Sequence, residues 1–237
     1  MAQDQWTAVD EYINATVVRP DDALDAALKA TAAAGMPPIA VSAAQGKLLS
    51  ILARMIGATR VLEIGTLGAY STIWLARALA AADTRTGAAG ADVGTEAGKL
   101  ISLEIDPKHA DVARKNLASA GLEAVAEVRV GPALEALPQL TSEAPFDLTF
   151  IDADKANIPA YFDWAVKLSR PGAVIVVDNV VRDGKLIDGS STDPNVQGVR
   201  RLHELLETDA RVTATTIQTV GSKGYDGFTI ALVNEAG

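Results

Sequence analysis

Three short segments carry the residue types that chemistry needs. The first is Glu63-Ile64-Gly65-Thr66-Leu67-Gly68-Ala69-Tyr70-Ser71. An apolar run ends at its glycines and a helical pattern follows, so it reads as strand, tight turn and helix. Glycine in such a turn lets backbone approach a nucleoside where a side chain would obstruct it, and Gly65 and Gly68 are expected to serve that end. Glu104 closes the next apolar run, where sheets of this kind place a carboxylate on ribose hydroxyls. The second segment is Phe150-Ile151-Asp152-Ala153-Asp154-Lys155 and the third is Val177-Asp178-Asn179. If both follow parallel strands, their ends share one rim of the sheet and Asp152, Asp178 and Asn179 converge. Two carboxylates and an amide oxygen form a hard, all-oxygen set suited to Mg²⁺, Mn²⁺ or Ca²⁺, with positions left for water or substrate. Plainer readings stand beside these. The glycines are turn punctuation, Glu104 is a solvated strand end, and the Asp and Asn residues cap or turn the chain after strands. Two such segments beside a nucleoside-type turn favour the metal reading.

The kind of nucleotide follows from the turn. A dinucleotide site wants G-x-G-x-x-G so that a pyrophosphate rests on the helix N-terminus. Here only G-x-x-G is present, and Glu63 places an acid just before the first glycine. A carboxylate aimed at the ligand suits the ammonium and sulfonium of S-adenosylmethionine and repels a pyrophosphate. Methyl transfer from a sulfonium needs an oxygen nucleophile held in line with the S–CH₃ bond, and most of the gain is positioning. A phenol has a pKa of about 10, and a divalent cation on its oxygen makes the phenolate accessible at neutral pH. Lys155 is then the candidate base, if the cation depresses its reference pKa of about 10.4; otherwise it is a solvated surface lysine. A second hydroxyl on the same cation would lock the ring, so vicinal diphenols are the expected acceptors.

Positioning these groups requires a parallel sheet. Strands are expected at Val61–Ile64, Leu100–Ile105, Val125–Val130, Asp147–Ile151 and Ala173–Val177, with helices between them. The last of these has almost no polar interruption, as a strand buried on both faces should. Pro107 suits a first helical position, with Asp106 as its cap, and Ser42 caps a helix from Ala43 to Ile56. The helix after Gly68 runs from Ser71 to Leu79, and Ala81 to Gly98 reads as an inserted surface loop. Val212–Val220 and Gly227–Val233 flank Gly221-Ser222-Lys223-Gly224 and predict an antiparallel edge hairpin. Two helices broken at Arg19-Pro20 precede the sheet. The expected fold is therefore α/β: a Rossmann-like, doubly wound, mostly parallel seven-stranded sheet with an antiparallel C-terminal hairpin. One domain spans 1–237, with 1–35 as an N-terminal helical extension. His109 and His203 lie in helical patterns without partners in sequence, and Tyr161 and Trp164 are either core or walls of an acceptor site.

Composition sets the outer limits. The chain of 237 residues is 49% hydrophobic, ample for a packed core, and lacks Cys, so disulfide and thiolate-metal chemistry are out. Its net charge of −9 argues against nucleic acid, which needs a basic stripe. The start lacks a signal-peptide pattern and no apolar run is long enough to span a bilayer, so a cytoplasmic protein without membrane partners is expected. Trp6, Val9, Tyr12 and Ile13 form an apolar stripe ahead of the sheet, and a homodimer would cover it.

Taken together, Glu63-Ile64-Gly65 with Tyr70-Ser71, Phe150 to Lys155, and Asp178-Asn179 resemble the cation-dependent O-methyltransferases, of the caffeoyl-CoA and catechol type, with the bacterial small-molecule branch nearest. The resemblance runs from about Met36 to Val233. It implies that Val41, Glu63, Gly65, Thr66, Ser71, Glu104, Ala133, Asp152 and Asp154 line the S-adenosylmethionine site, with Glu104 on the ribose. It implies further that Asp152, Asp178 and Asn179 hold the metal, and that Lys155, with Asp152, is catalytic. Two departures appear: the longer Ala81–Gly98 connection, and no counterpart of the acidic residue with which some animal members orient the second hydroxyl. Competing readings are a nicotinamide-dependent oxidoreductase, opposed by Glu63 and the missing glycine, and a non-catalytic nucleoside-binding protein, opposed by the complete ligand set.

Overall fold

The computed structural model describes residues 2–86 and 98–235. Seven strands form a mixed, mostly parallel sheet with an antiparallel hairpin at its edge, as expected. The chain groups into two compact units, one of residues 14–133 and one of the N-terminal residues up to Ile13 with Leu134 onward.

In the 14–133 unit, three strands lie in the order β3-β2-β1: β1 (Arg60–Ile64), β2 (Lys99–Glu104) and β3 (Ala126–Val130), all parallel. Helix α2 (Asp22–Ala33) starts at Asp21, whose carboxylate accepts from Leu24 N. The chain reaches it from a π-helical turn over Asn14–Val18, ended by Arg19 in the left-handed region and followed by Pro20, which cannot continue a helix. Helix α3 (Ala43–Met55) begins at Ser42, whose hydroxyl accepts from Gln45 N, the cap expected there. Helix α4 (Tyr70–Thr86) is buried on nearly every side over its first turns, where Ser71 and Thr72 are its buried polar residues. α3 comes close to it because Gly46 has no side chain; a Cβ there would lie 2.3 Å from the Trp74 indole. α5 (Pro107–Ser119) starts on Asp106, which accepts from the Lys108 and His109 amides. The expected loop from Ala81 is corrected at its start. Residues 81–86 continue α4, in keeping with the high helix propensity of alanine. The remainder of that stretch, 87–97, lies outside the described residues.

In the other unit the order is β4-β5-β7-β6. β4 (Phe146–Ile151) and β5 (Ser169–Asp178) are parallel, and β5 pairs antiparallel with β7 (Gly224–Val233). β6 (Val212–Gly221) and β7 make the C-terminal hairpin. α7 (Ile158–Leu168) links β4 to β5, and α8 (Pro194–Thr208) leads into β6. The short α6 (Ala133–Ala136) precedes β4. Helix α1 (Ala2–Ile13) docks on the hairpin tip: Gln3 Nε2 donates to Gly221 O, and Asp10 Oδ2 accepts from Ser222 N. Its Val9 and Tyr12 stay exposed, Tyr12 at 71%. Among the described residues no helix is long and apolar enough to cross a membrane.

Candidate functional site

Of the cofactor candidates in the 14–133 unit, Gly65, Thr66, Glu104 and Ala133 end or follow β1, β2 and β3. Gly65 follows β1 with φ +99°, a conformation that favours glycine, and its N–H donates to Leu103 O on β2 at 2.9 Å. Glu104, the last residue of β2, holds the turn from the side. Its Oε2 accepts from Leu67 N at 2.8 Å and Thr66 N at 3.3 Å, and its Oε1 accepts from Asp106 N at 2.9 Å. Glu104 is thus built into the turn rather than a solvated strand end. Ala133 opens α6 just past β3, and Val41 is buried ahead of the Ser42 cap.

Glu63 departs from expectation. Its carboxylate is fully buried and accepts three hydroxyl bonds: Ser71 Oγ at 2.6 Å, Thr72 Oγ1 at 2.5 Å and Ser102 Oγ at 2.6 Å. Thr66 Oγ1 extends this network, 2.5 Å from Ser102 Oγ. A carboxylate can be buried only with such charge-assisted partners, and three of them are small hydroxyls on β2 and the first turn of α4. Glu63, expected to face a cationic ligand, instead orients Ser71 and braces the turn from within.

Gly68 is corrected too. A Cβ there would lie 1.9 Å from Thr31 Oγ1 on α2, and its carbonyl accepts from Asn116 Nδ2 at 2.9 Å. The missing side chain makes room for Thr31. That packing need comes from a helix distant in sequence and is invisible in the motif.

In the other unit, the metal candidates follow neighbouring parallel strands. Ile151 of β4 is in register with Val177 of β5, so Asp152 and Asp178 each stand one residue further along. Asp178 is 4% exposed and accepts from Asn179 N at 2.8 Å. Asn179 has φ +56°, a left-handed conformation that asparagine tolerates better than most residues. Lys155 is buried, 7% exposed, and its Nζ donates to Asp152 Oδ1 at 2.9 Å. The solvated-lysine reading of Lys155 therefore fails. Among the described residues no three His, Cys, Asp or Glu side chains are grouped so as to hold a metal ion. The candidate set has two carboxylates and completes itself with an amide. Its chemistry, two carboxylates and an amide oxygen, fits a hard divalent cation.

Asp154 is exposed and accepts from Tyr161 OH at 2.5 Å and Asn157 Nδ2 at 2.7 Å. Burial, and then the Asp154 carboxylate, hold the Tyr161 phenol far above its ordinary range. Tyr161 is thus a buried residue with its hydroxyl committed to Asp154. Trp164 lies under the Lys167 ammonium, 5.0 Å from the ring centre. His203 bridges Val199 O and Thr216 Oγ1, and His109 Nδ1 stands 3.8 Å from Glu104 Oε1.

One residue that seats Lys155 escapes the sequence reading. Gly198, inside α8, presses on the Lys155 backbone; a Cβ there would lie 1.9 Å from Lys155 O. Its signal is a glycine in a helix interior, which costs about 1 kcal/mol against alanine and so calls for a packing reason.

Comparison with known proteins identifies the family. A family model described as O-methyltransferase matches residues 15–232. A catechol O-methyltransferase of Niastella koreensis is 50% identical over 230 residues, covering 96% of this chain and 97% of that protein. One of Mycobacterium tuberculosis is 52% identical over 225 residues, covering 95% and 94%. Among solved structures, the O-methyltransferase from Bacillus cereus in complex with SAH superposes with a TM-score of 0.89 at 50% identity, covering 98% of this chain and 100% of that one. The family model and these relatives each span nearly the whole chain, and the chain belongs to the O-methyltransferase family.

Proposed function

We propose that this protein transfers the methyl group of S-adenosylmethionine to one hydroxyl of a small aromatic vicinal diol, catechol-like or caffeoyl-type, with the help of a divalent cation. The observation that carries the reading is the placement of Asp152 and Asp178 on neighbouring strand ends, with buried Lys155 fixed on Asp152. The relatives named catechol O-methyltransferase support the acceptor class, and the SAH-bound neighbour supports the donor. Asp152, Asp178 and Asn179 would hold the cation, Mg²⁺ before Mn²⁺ or Ca²⁺. That ion lowers the pKa of an acceptor hydroxyl when bound. Lys155, held at Asp152 Oδ1, would take the acceptor's proton in its uncharged amine form. Gly65, Thr66, Ser71 and Glu104, with Val41, Ala133, Asp152 and Asp154, would bind the donor, Glu104 taking the ribose. One methyltransferase domain over 1–237, and a homodimer covering the exposed Val9 and Tyr12, belong to the same proposal; light scattering at micromolar concentration tests the latter.

Thermal stabilisation separates this reading from a nicotinamide enzyme. SAH should raise Tm, by about 2.7 kcal/mol of added stability at a hundred times Kd, and NAD should leave it unchanged. Stabilisation by NAD alone would overturn the donor assignment. Turnover of a diphenol panel, followed by mass spectrometry for a methylated product, then distinguishes an active enzyme from a binding protein.

A further inference from the structure

We infer that Asp226 is a positioning residue for the metal ligand Asn179, acting through the backbone of the loop that follows β5. The inference rests on the metal reading above. Asn179 leaves β5 in the left-handed region, and Arg182 and Asp183 follow there too, at φ +58° and +55°. Non-glycine residues hold such conformations only where surrounding structure over-determines them. Asp226, on β7, supplies that restraint. A single oxygen, Oδ1, accepts from Val181 N, Arg182 N and Gly227 N, each at 2.9 Å.

The restraint reaches Asn179 from both sides. Its own N–H is taken by Asp178 Oδ1 at 2.8 Å, and the next amide, Val180 N, donates to Gly227 O at 3.0 Å. Val180 and Val181 are buried, so the loop is anchored by apolar packing as well. Gly227 makes this approach feasible: a Cβ there would lie 2.6 Å from Val181 Cγ2 and 2.4 Å from Ile217 O. One carboxylate oxygen bonded to three amides is a rigid, charge-assisted clamp. Released from it, residues 180–182 lose the contacts that fix where Asn179 stands relative to Asp178. Groups that orient a metal's ligands commonly contribute 10–100-fold to its affinity.

The test is direct Mn²⁺ binding to the full chain, read from the paramagnetic resonance of free Mn²⁺, beside SAH affinity and Tm. Asp226→Ala should weaken Mn²⁺ binding by about tenfold or more while SAH affinity stays within about twofold. Asp226→Asn keeps the carbonyl acceptor and should recover most of the loss. In turnover, the alanine variant should raise the Mg²⁺ concentration for half-maximal rate, with kcat at saturating Mg²⁺ largely kept. Should the alanine variant fail to fold, Asp226→Ser, which offers a single shorter acceptor, is judged by the same criterion. A folded variant that binds Mn²⁺ like wild type overturns the inference alone. Wild-type protein that binds no more Mn²⁺ than Asp178→Ala overturns the metal reading and the inference with it.

Discussion

Lys155 Nζ donates to Asp152 Oδ1 across 2.9 Å, and both belong to the short segment that follows β4. The contact joins the proposed base to a proposed metal ligand, so neither side chain is free to wander. Gly198 of α8 holds the Lys155 backbone from the other side. Replacing Lys155 by Met keeps the length of the side chain and removes the proton acceptor. The variant should lose about 10²–10⁴-fold in kcat, the usual range for a general base. Its SAH affinity, measured by calorimetry, should hardly change. A variant with wild-type kcat would remove Lys155 from the chemistry.

Glu63 supports the cofactor turn through three buried hydroxyls, and its loss leaves Ser71, Thr72 and Ser102 without their acceptor. Glu63→Ala should cost on the order of 3 kcal/mol of stability, since bonds to a charged group contribute about 1.5–3 each and the site relaxes in part. Glu63→Gln keeps one acceptor and should cost less. Urea unfolding of the three proteins checks the order. If Glu63→Gln instead acquires NAD binding, the carboxylate faces the ligand after all.

Much of the fold is legible in the residues for physical reasons. β5 reads as a strand because its run from Ala173 to Val177 is apolar on both faces, and Ser42 and Asp106 announce α3 and α5 through cap chemistry. That Asp152 and Asp178 follow adjacent strand ends comes from parallel pairing alone. What stayed hidden depends on partners far away in the chain. Thr31 fills the space at Gly68, three hydroxyls enclose Glu63, and α8 presses on Lys155. A motif shows which residue types are present, not which direction a short side chain is pulled. The stretch from Ala81 to Gly98 reads as a loop because it is rich in Ala, Gly and Thr, yet residues 81–86 continue α4, where alanine favours helix.

Glu104 carries a conflict between turn and ligand. A carboxylate offers about four lone-pair positions, and three are taken by the amides of Thr66, Leu67 and Asp106. Two ribose hydroxyls therefore require one amide to let go, and Thr66 N, at 3.3 Å, is the weakest held. Glu104→Ala should weaken SAH binding by about 1–3 kcal/mol. Calorimetry reads this directly, and unchanged affinity would place the ribose elsewhere.

Tyr161 gives a pH signature. Desolvation, then the hydrogen bond to Asp154, raise its folded-state pKa above the unfolded value of about 10. Its contribution to stability is therefore fully present below that unfolded value and is lost as pH climbs through the raised folded one. In an alkaline absorbance titration of the native protein, Tyr161 should ionise late, as should Tyr70, whose phenol burial also raises. Tyr161→Phe should remove one phenol from the late component. An unchanged late amplitude would show that the Tyr161–Asp154 bond does not form in solution.

The central claim, that a vicinal diol is positioned through both its oxygens on a cation held by Asp152, Asp178 and Asn179, is tested most directly by acceptor kinetics. Three protein ligands leave about three positions on a six-coordinate ion, enough for two acceptor oxygens. A monophenol fills one of them and can rotate, losing the alignment that supplies most of the rate. The measurement is kcat and KM for a catechol and its monohydroxy analogue, each with Mg²⁺ and again after EDTA. A fall of roughly 10²-fold or more from diol to monophenol, shared by kcat, is expected, with loss of diol turnover in EDTA. Equal kcat/KM for the two acceptors, or full activity in EDTA, would contradict it.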